Sequence, residues 1–186
     1  KLITKFLTAV EAGGAFGWSK KVATLEKKAE IFLVGGAVRD CLLGQNTKDF
    51  DFVVRGVSAK KLEYILSSLG SVDLVGKNFG VFKFVPHEWK KKNIKLDALD
   101  IALPRTEKSI SHSGAYRDFV VQSNYRLPIR EDLSRRDFTI NALAIKVNEI
   151  NNFELVDEFD GLSDLAKRII RTVGKPEERF QEDYSR

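Results

Sequence analysis

The stretch GGAVRDCLLGQNTKDFDFV, residues 35–53, decides the predicted fold. It follows the apolar run 31–34, so a strand is expected to end at two glycines, where no Cβ obstructs a sharp turn. After a short helix, a second strand carries Asp49 and Asp51 on one face, about 6.6 Å apart along the chain, and Phe50 on the other. Two adjacent carboxylates repel each other unless a cation lies between them, and such oxygen ligands suit Mg²⁺. The segment therefore predicts a nucleoside triphosphate site.

Each half of this pattern has a plain structural interpretation. A glycine pair at a strand end is often only a turn, and an isolated D-x-D is often a solvated strand face. The conjunction of both, with Arg39 and Asp40 between them, favours the functional interpretation.

Composition sets the class of protein and its surroundings. The chain has 186 residues, 43% hydrophobic and 31% charged, and a net charge of +5, which fits a polyanionic partner. No apolar stretch approaches a membrane span, and residues 1–30 lack the features of a secretory signal. The single cysteine, Cys41, excludes an internal disulfide and fits a reducing compartment. A bacterial cytoplasm is the first expectation and an organelle the second. Because the chain begins at Lys1 and ends within a predicted helix, we expect it to be part of a longer protein.

Apolar periodicity and turn residues predict an α+β domain with a mixed, mainly antiparallel sheet backed by helices. Predicted strands cover 31–35, 50–54, 72–75, 81–85 and 95–103. Predicted helices cover 37–43, a segment capped by Ser58 and closed by Gly70, 135–145, 163–170, and a last segment that begins at Pro176. One or two helices are expected within 1–30, a hairpin turn at 148–152, and a long irregular connection over 104–130.

Asp100 is the best candidate for a third acidic ligand. Its strand neighbours Ala98 and Ala102 share its face and leave room for a metal or a phosphate. The alternative is an edge-strand carboxylate in water.

The segment RRDFTIN, residues 135–141, is the second strong element. Ser134 and Asp137 have capping-box spacing at the start of the helix predicted over 135–145, on which Asp137 and Asn141 face the same way. Its two arginines could form surface ion pairs. Beside the first motif they fit phosphate and ribose contacts better, since guanidinium groups bind phosphate oxygens bidentately.

A third element lies at residues 182–186. Glu182 and Arg186 have the spacing of a helix salt bridge. Alternatively, Asp183 accepts a hydrogen bond from the exocyclic amine of cytosine or adenine while Arg186 donates to the same base edge.

Five blocks in this order resemble the class II tRNA nucleotidyltransferase and bacterial poly(A) polymerase family, within the polymerase β nucleotidyltransferase superfamily. The blocks are GGAVRD with LLG and DFD, DIALPRTE, RRDFTINALAI, DEFDG with DL and IIRTVG, and ERFQED followed by Arg186. The resemblance implies a polymerase β-like catalytic head over 31–160 and the start of a helical neck over 161–186. Residues 1–30 lie outside the resemblance and are expected to form a helical extension. The Tyr184-Ser185 pair departs from the Pro-Leu that often occupies this position in the family.

The resemblance also assigns roles. Asp49 and Asp51 would bind Mg²⁺, with Asp100 as a third catalytic carboxylate. The other assignments are Gly35, Gly36 and Arg39 for the triphosphate, Arg135, Arg136 and Asp137 for ribose and phosphates, Asp183 and Arg186 for selection of the base, and Asp157 and Gly161 for a hinge.

The activity that the resemblance implies is template-independent addition of C and A from CTP and ATP to the 3′ end of tRNA, with release of pyrophosphate. Alternatives within the family are a CC-adding enzyme, an A-adding enzyme and a poly(A) polymerase, although residues 75–81 look more like the tRNA enzymes. Outside it, the alternatives are a small-molecule nucleotidyltransferase and a non-catalytic nucleotide-binding or RNA-binding module.

Overall fold

The computed structural model describes residues 17–47, 49–75, 80–91, 97–109, 119–149 and 152–182. Its strands are β1 (Glu30–Val34), β2 (Asp51–Arg55), β3 (Gly70–Val75), β4 (Val81–Pro86), β5 (Leu99–Ala102), β6 (Arg105–Ser109), β7 (Phe119–Ser123), β8 (Leu143–Glu149) and β9 (Asn152–Asp157). Its α-helices are α1 (Gly17–Leu25), α2 (Gly36–Leu42), α3 (Ala59–Ser67), α4 (His87–Lys91), α5 (Ile129–Ser134), α6 (Gly161–Lys167) and α7 (Pro176–Glu182), and a 3₁₀ turn covers Thr139–Asn141. Across these ranges no helix combines the length and apolar composition that a membrane span requires.

Seven strands form one sheet in the order β3-β4-β5-β2-β1-β8-β9. Every neighbouring pair is antiparallel except β2 and β5, which run parallel. Strands β6 and β7 form a separate antiparallel pair. The prediction of an α+β domain with a mixed, mainly antiparallel sheet is therefore confirmed.

Strand β1 lies inside the sheet and is buried on both faces. Ile31 and Leu33 point into a core that also contains Trp18 of α1 and Leu62 of α3. Phe32 and Val34 point into a second, smaller core that includes Leu133 of α5. Because alternate residues of a strand face opposite ways, this continuous apolar run requires cover on both sides.

The helix predicted over 135–145 is wrong. Helix α5 ends at Ser134, the 3₁₀ turn follows, and β8 begins at Leu143. Leu143 and Ile145 enter the larger core and Ala144 enters the smaller one, so the segment alternates with the period of a strand. Asp137 does not complete a capping box with Ser134 but accepts a hydrogen bond from the backbone N–H of Phe138 at 2.7 Å.

Two further boundaries differ from the prediction. The irregular connection predicted over 104–130 contains strands β6 and β7 and the start of α5. Val120 and Val121 lie in β7, and β-branched residues of this kind favour strands. Asp49 precedes β2 instead of lying within it, although the alternation holds, since Phe50 is buried between two exposed carboxylates.

Candidate active site

The bend at Gly35 brings the acidic and basic motifs together. Val34 is the register partner of Asp51, so the turn that follows β1 lies beside the start of β2. Gly35 has φ 73°, and a Cβ built on it would lie 2.7 Å from Arg136 Nη1 and 3.9 Å from Asp51 Oδ2. The positive φ favours glycine, and a Cβ here would also displace the Arg136 guanidinium, whereas its distance to Asp51 would be an ordinary van der Waals contact.

The environment of Asp51 disfavours its charged form. Partial desolvation by the surrounding protein raises the pKa of Asp51, although the residue is exposed to solvent. The Arg136 guanidinium lowers this pKa, and the carboxylates of Asp100 and Asp49 raise it. A divalent cation placed here would relieve the repulsion among the three carboxylates.

Asp100 stands next to Asp51 across the sheet. The two are register partners in the parallel pair of β2 and β5, which places their side chains on the same face. On its other side Asp100 pairs with Lys83 of β4, whose Nζ lies 2.9 Å from Asp100 Oδ1. Sequence analysis missed Lys83, although the alternation Phe82-Lys83-Phe84 indicates that it points away from the core.

Asn141 links the double-glycine motif to the RRDFTIN motif. Arg39 Nη1 donates to Asn141 Oδ1 at 2.8 Å, and Asn141 Nδ2 donates to Asp137 Oδ1 at 3.1 Å. The sequence prediction that Asp137 and Asn141 face the same way is thus confirmed, although a 3₁₀ turn positions them instead of an α-helix.

Asp132 organises the two arginines, and sequence analysis missed it as well. Its side chain is completely buried and accepts hydrogen bonds from Arg135, the closest from Nη2 at 2.9 Å. Arg136 Nη2 lies farther away, at 3.5 Å from Asp132 Oδ2. An unpaired buried carboxylate is unfavourable, which explains why this acid lies directly beneath two guanidinium groups.

Arg136 is the arginine that reaches the bend. Its remaining contact is a 3.4 Å hydrogen bond from Nη1 to the carbonyl oxygen of Asn141, and its Nε has no hydrogen-bond partner among the residues that the structure describes. Burial lowers the pKa of Arg136, and the negative charge of Asp132 partly offsets this lowering. A guanidinium held by long contacts beside a glycine bend is suited to receive an anion.

The residues assigned to a hinge, Asp157 and Gly161, lie at the end of β9 and at the start of α6. The Asp157 carboxylate accepts hydrogen bonds from the backbone N–H groups of Gly161, at 2.7 Å, and Leu162, at 2.9 Å. A Cβ on Gly161 would lie 2.3 Å from the carbonyl oxygen of Thr139, so α6 packs closely on the 3₁₀ turn. Asp183 and Arg186 lie outside the described residues.

The donor set fits Mg²⁺ that is shared with a substrate. Within the described ranges, no group of three or more His, Cys, Asp or Glu side chains is arranged to hold a metal by itself. Mg²⁺ usually takes one or two carboxylates and completes its shell with waters and substrate phosphates. Asp49 and Asp51 are two exposed carboxylates of this kind, and the guanidinium of Arg136 lies close enough to Asp51 to act on its charge.

Comparison with known proteins identifies a related family. Residues 31–171 match the Poly A polymerase head domain. The Multifunctional CCA protein of Xylella fastidiosa (strain 9a5c) is 40% identical over 142 residues, which are 76% of this chain and 29% of that protein. The protein of the same name from Xanthomonas campestris pv. campestris (strain B100) is 40% identical over 145 residues, 78% of this chain and 30% of that protein. The chain thus spans less than a third of the length of these relatives.

Solved structures show the same likeness. The CCA-adding enzyme of Bacillus stearothermophilus in complex with CTP is 28% identical with a TM-score of 0.67, and the match covers 92% of this chain and 35% of that chain. The CCA-adding enzyme of Thermotoga maritima complexed with tRNA is also 28% identical with a TM-score of 0.67, and the match covers 98% of this chain and 38% of that chain.

Proposed function

The chain belongs to the poly(A) polymerase head-domain family, and from this we propose that it adds C and A from CTP and ATP to the 3′ end of tRNA and releases pyrophosphate. The observation that carries the proposal is the convergence of Asp51 and Arg136 on Gly35, where a Cβ would lie 3.9 Å from Asp51 Oδ2 and 2.7 Å from Arg136 Nη1. The names of the relatives and the CTP and tRNA complexes of similar structures support this choice of substrates.

In this proposal Asp49 and Asp51 hold Mg²⁺, which when bound neutralises phosphate charge and activates the attacking hydroxyl. Arg136 and Arg39 orient the triphosphate, so that the RNA 3′-hydroxyl attacks the α-phosphorus in line and pyrophosphate leaves. The contribution of these side chains is positioning and electrostatic stabilisation, since phosphoryl transfer needs no covalent step on the protein. Asp183 and Arg186 select the base of the incoming nucleotide. The proposed location of the protein is the cytoplasm.

A transfer assay tests the proposal. The 186-residue chain, in excess over tRNA that lacks its terminal CCA, is incubated with each labelled NTP in turn, with Mg²⁺ or with EDTA. We expect the 186-residue chain to add C and then A slowly and only with Mg²⁺, and Asp51→Asn to slow this transfer further, by at least about 100-fold. Transfer that needs neither Mg²⁺ nor Asp51 would contradict the proposal.

The same assay separates the alternatives within the family. Addition of C alone identifies a CC-adding enzyme, and addition of A only to a substrate that already ends in CC identifies an A-adding enzyme. Long A tails on unrelated RNA identify a poly(A) polymerase.

A further inference from the structure

Lys83 lies in a row of charged side chains that crosses four neighbouring strands, and on β3 its register partner is Asp73. Asp51 of β2 is the register partner of Asp100 of β5, and Asp100 is the register partner of Lys83 of β4. The flanking residues Phe82 and Phe84 are completely buried on the opposite face of the sheet. The register therefore fixes the lysine beside the carboxylates.

Burial does not force this lysine to pair with Asp100. The Lys83 side chain is 48% exposed and that of Asp100 39%. Ion pairs this exposed stabilise a fold little. Asp100 is in turn the register partner of Asp51, so the ammonium group contacts one carboxylate of the cluster and lies one strand away from the next.

We propose that Lys83 is the internal counter-charge of the Asp49–Asp51–Asp100 cluster and leaves Asp100 when a divalent cation binds. The inference rests on the proposed function, which places that cation at Asp49 and Asp51. Because the ammonium and the cation compete for the same negative charge, Lys83 weakens the binding of metal alone. A triphosphate brings its own metal ligands, so metal loading becomes coupled to nucleotide binding.

A lysine suits this role better than an arginine would in one respect. Its ammonium is a compact point charge on a flexible four-carbon stem, so it can exchange partners without a fixed bidentate geometry. As a positioning residue, Lys83 acts through the carboxylates.

The test is a titration of the 186-residue chain with Mn²⁺ in the absence of nucleotide. Electron paramagnetic resonance measures the concentration of free Mn²⁺ at each step. We expect Lys83→Gln to bind Mn²⁺ about fivefold more tightly than the wild type, because the competing charge is gone. Lys83→Arg keeps the charge and should stay within about twofold of the wild type. Lys60→Gln removes one exposed lysine from α3, which packs on the opposite face of the sheet, and should also leave the affinity unchanged.

A second measurement repeats the titration with saturating CTP. The gain in Mn²⁺ affinity on adding CTP should be smaller in Lys83→Gln than in the wild type. Lys83→Met serves as a second neutral variant, and thermal unfolding verifies that each variant is folded.

The outcomes distinguish failure of the proposed role of Lys83 from failure of the proposed function on which it rests. If Asp51→Asn abolishes Mn²⁺ binding while Lys83→Gln and Lys83→Met both bind as the wild type does, the role of Lys83 is overturned and the metal site stands. If Asp51→Asn binds Mn²⁺ as well as the wild type, the metal site of the proposed function fails, and the inference fails with it.

Discussion

At the scale of the residue, the site depends on Gly35, because the space a side chain would need there is occupied by Arg136. A positive φ alone does not distinguish this position. Gly44 has φ 70°, close to the 73° of Gly35, yet a Cβ on Gly44 would meet nothing within 4 Å. The pair therefore separates backbone strain from displacement of the arginine.

We predict that Gly35→Ala and Gly44→Ala each lower the free energy of unfolding by about 1–2 kcal/mol, the strain of an alanine in the left-handed region. Only Gly35→Ala should also weaken CTP binding, by at least about tenfold, because it pushes Arg136 away from the bend. Calorimetric titration with CTP and Mg²⁺, together with urea unfolding, measures both effects. Equal CTP affinity in the two variants would show that Arg136 does not serve the nucleotide.

At the scale of the element, α1 belongs to the same core as the sheet. Trp18 is 3% exposed and packs edge-on against Phe52 of β2 and Phe84 of β4, with ring centroids 5.2 Å and 6.1 Å away. Such edge-to-face contacts stabilise the fold beyond what burial of the ring alone contributes. The strand that carries Asp51 and the strand that carries Lys83 are thus packed against one tryptophan.

Trp18→Ala should lower the free energy of unfolding by about 3–5 kcal/mol, as expected for loss of a large buried aromatic side chain. Leu25 lies on the same helix but is 53% exposed, so Leu25→Ala should cost about 0.5 kcal/mol or less. Urea unfolding of both variants is the measurement. If both substitutions changed the free energy of unfolding equally little, α1 would not contribute to the stability of the core.

Helix α6 is tied to the 3₁₀ turn by a buried carboxylate. Asp164 accepts hydrogen bonds from Thr139 Oγ1 at 2.8 Å and from Arg171 Nε at 2.9 Å. The hydrogen bonds from Arg171 and Thr139 lower the pKa of Asp164 from its ordinary value of 3.8. A carboxyl group whose pKa is lowered by folding stabilises the fold at any pH above its unfolded-state pKa. This stabilisation is lost as the pH falls through the folded-state pKa.

Asp164→Asn should therefore unfold at a lower temperature than the wild type at pH 7, and the difference should shrink as the pH falls below about 4. Thermal unfolding between pH 2 and pH 7 measures it. Asp73→Asn, at an exposed position on β3, is the matched control and should show little difference at any pH. A gap for Asp164→Asn that does not change with pH would contradict the electrostatic explanation.

At the scale of the whole molecule, the sequence was sufficient where a motif is local and periodic. The continuous apolar run of β1, the alternation around Phe50, and the turn at the glycine pair all follow from residues next to each other. Asp137 and Asn141 are also linked as predicted although the helix prediction is wrong, because Asp137 lies just before the 3₁₀ turn that ends at Asn141.

Contacts between distant segments could not be predicted in the same way. The pairing of Lys83 with Asp100 depends on strand register. Asp132 has helical spacing to Arg135 and Arg136, but its complete burial depends on how α5 packs. The helix predicted over 135–145 is wrong for the same reason: Ala144, a strong helix former, pairs with Val34 of β1, and tertiary pairing overrides helix propensity. The irregular connection predicted over 104–130 failed because β6 finds its partner only in β7.

Calorimetric titration of CTP into the chain, with Mg²⁺ and with EDTA, tests the proposed site most directly when the wild type is compared with Asp51→Asn. We predict binding that requires both Mg²⁺ and the Asp51 carboxylate, so that EDTA and the substitution each weaken it at least about tenfold. CTP binding of equal strength in EDTA, or in Asp51→Asn with Mg²⁺, would contradict it.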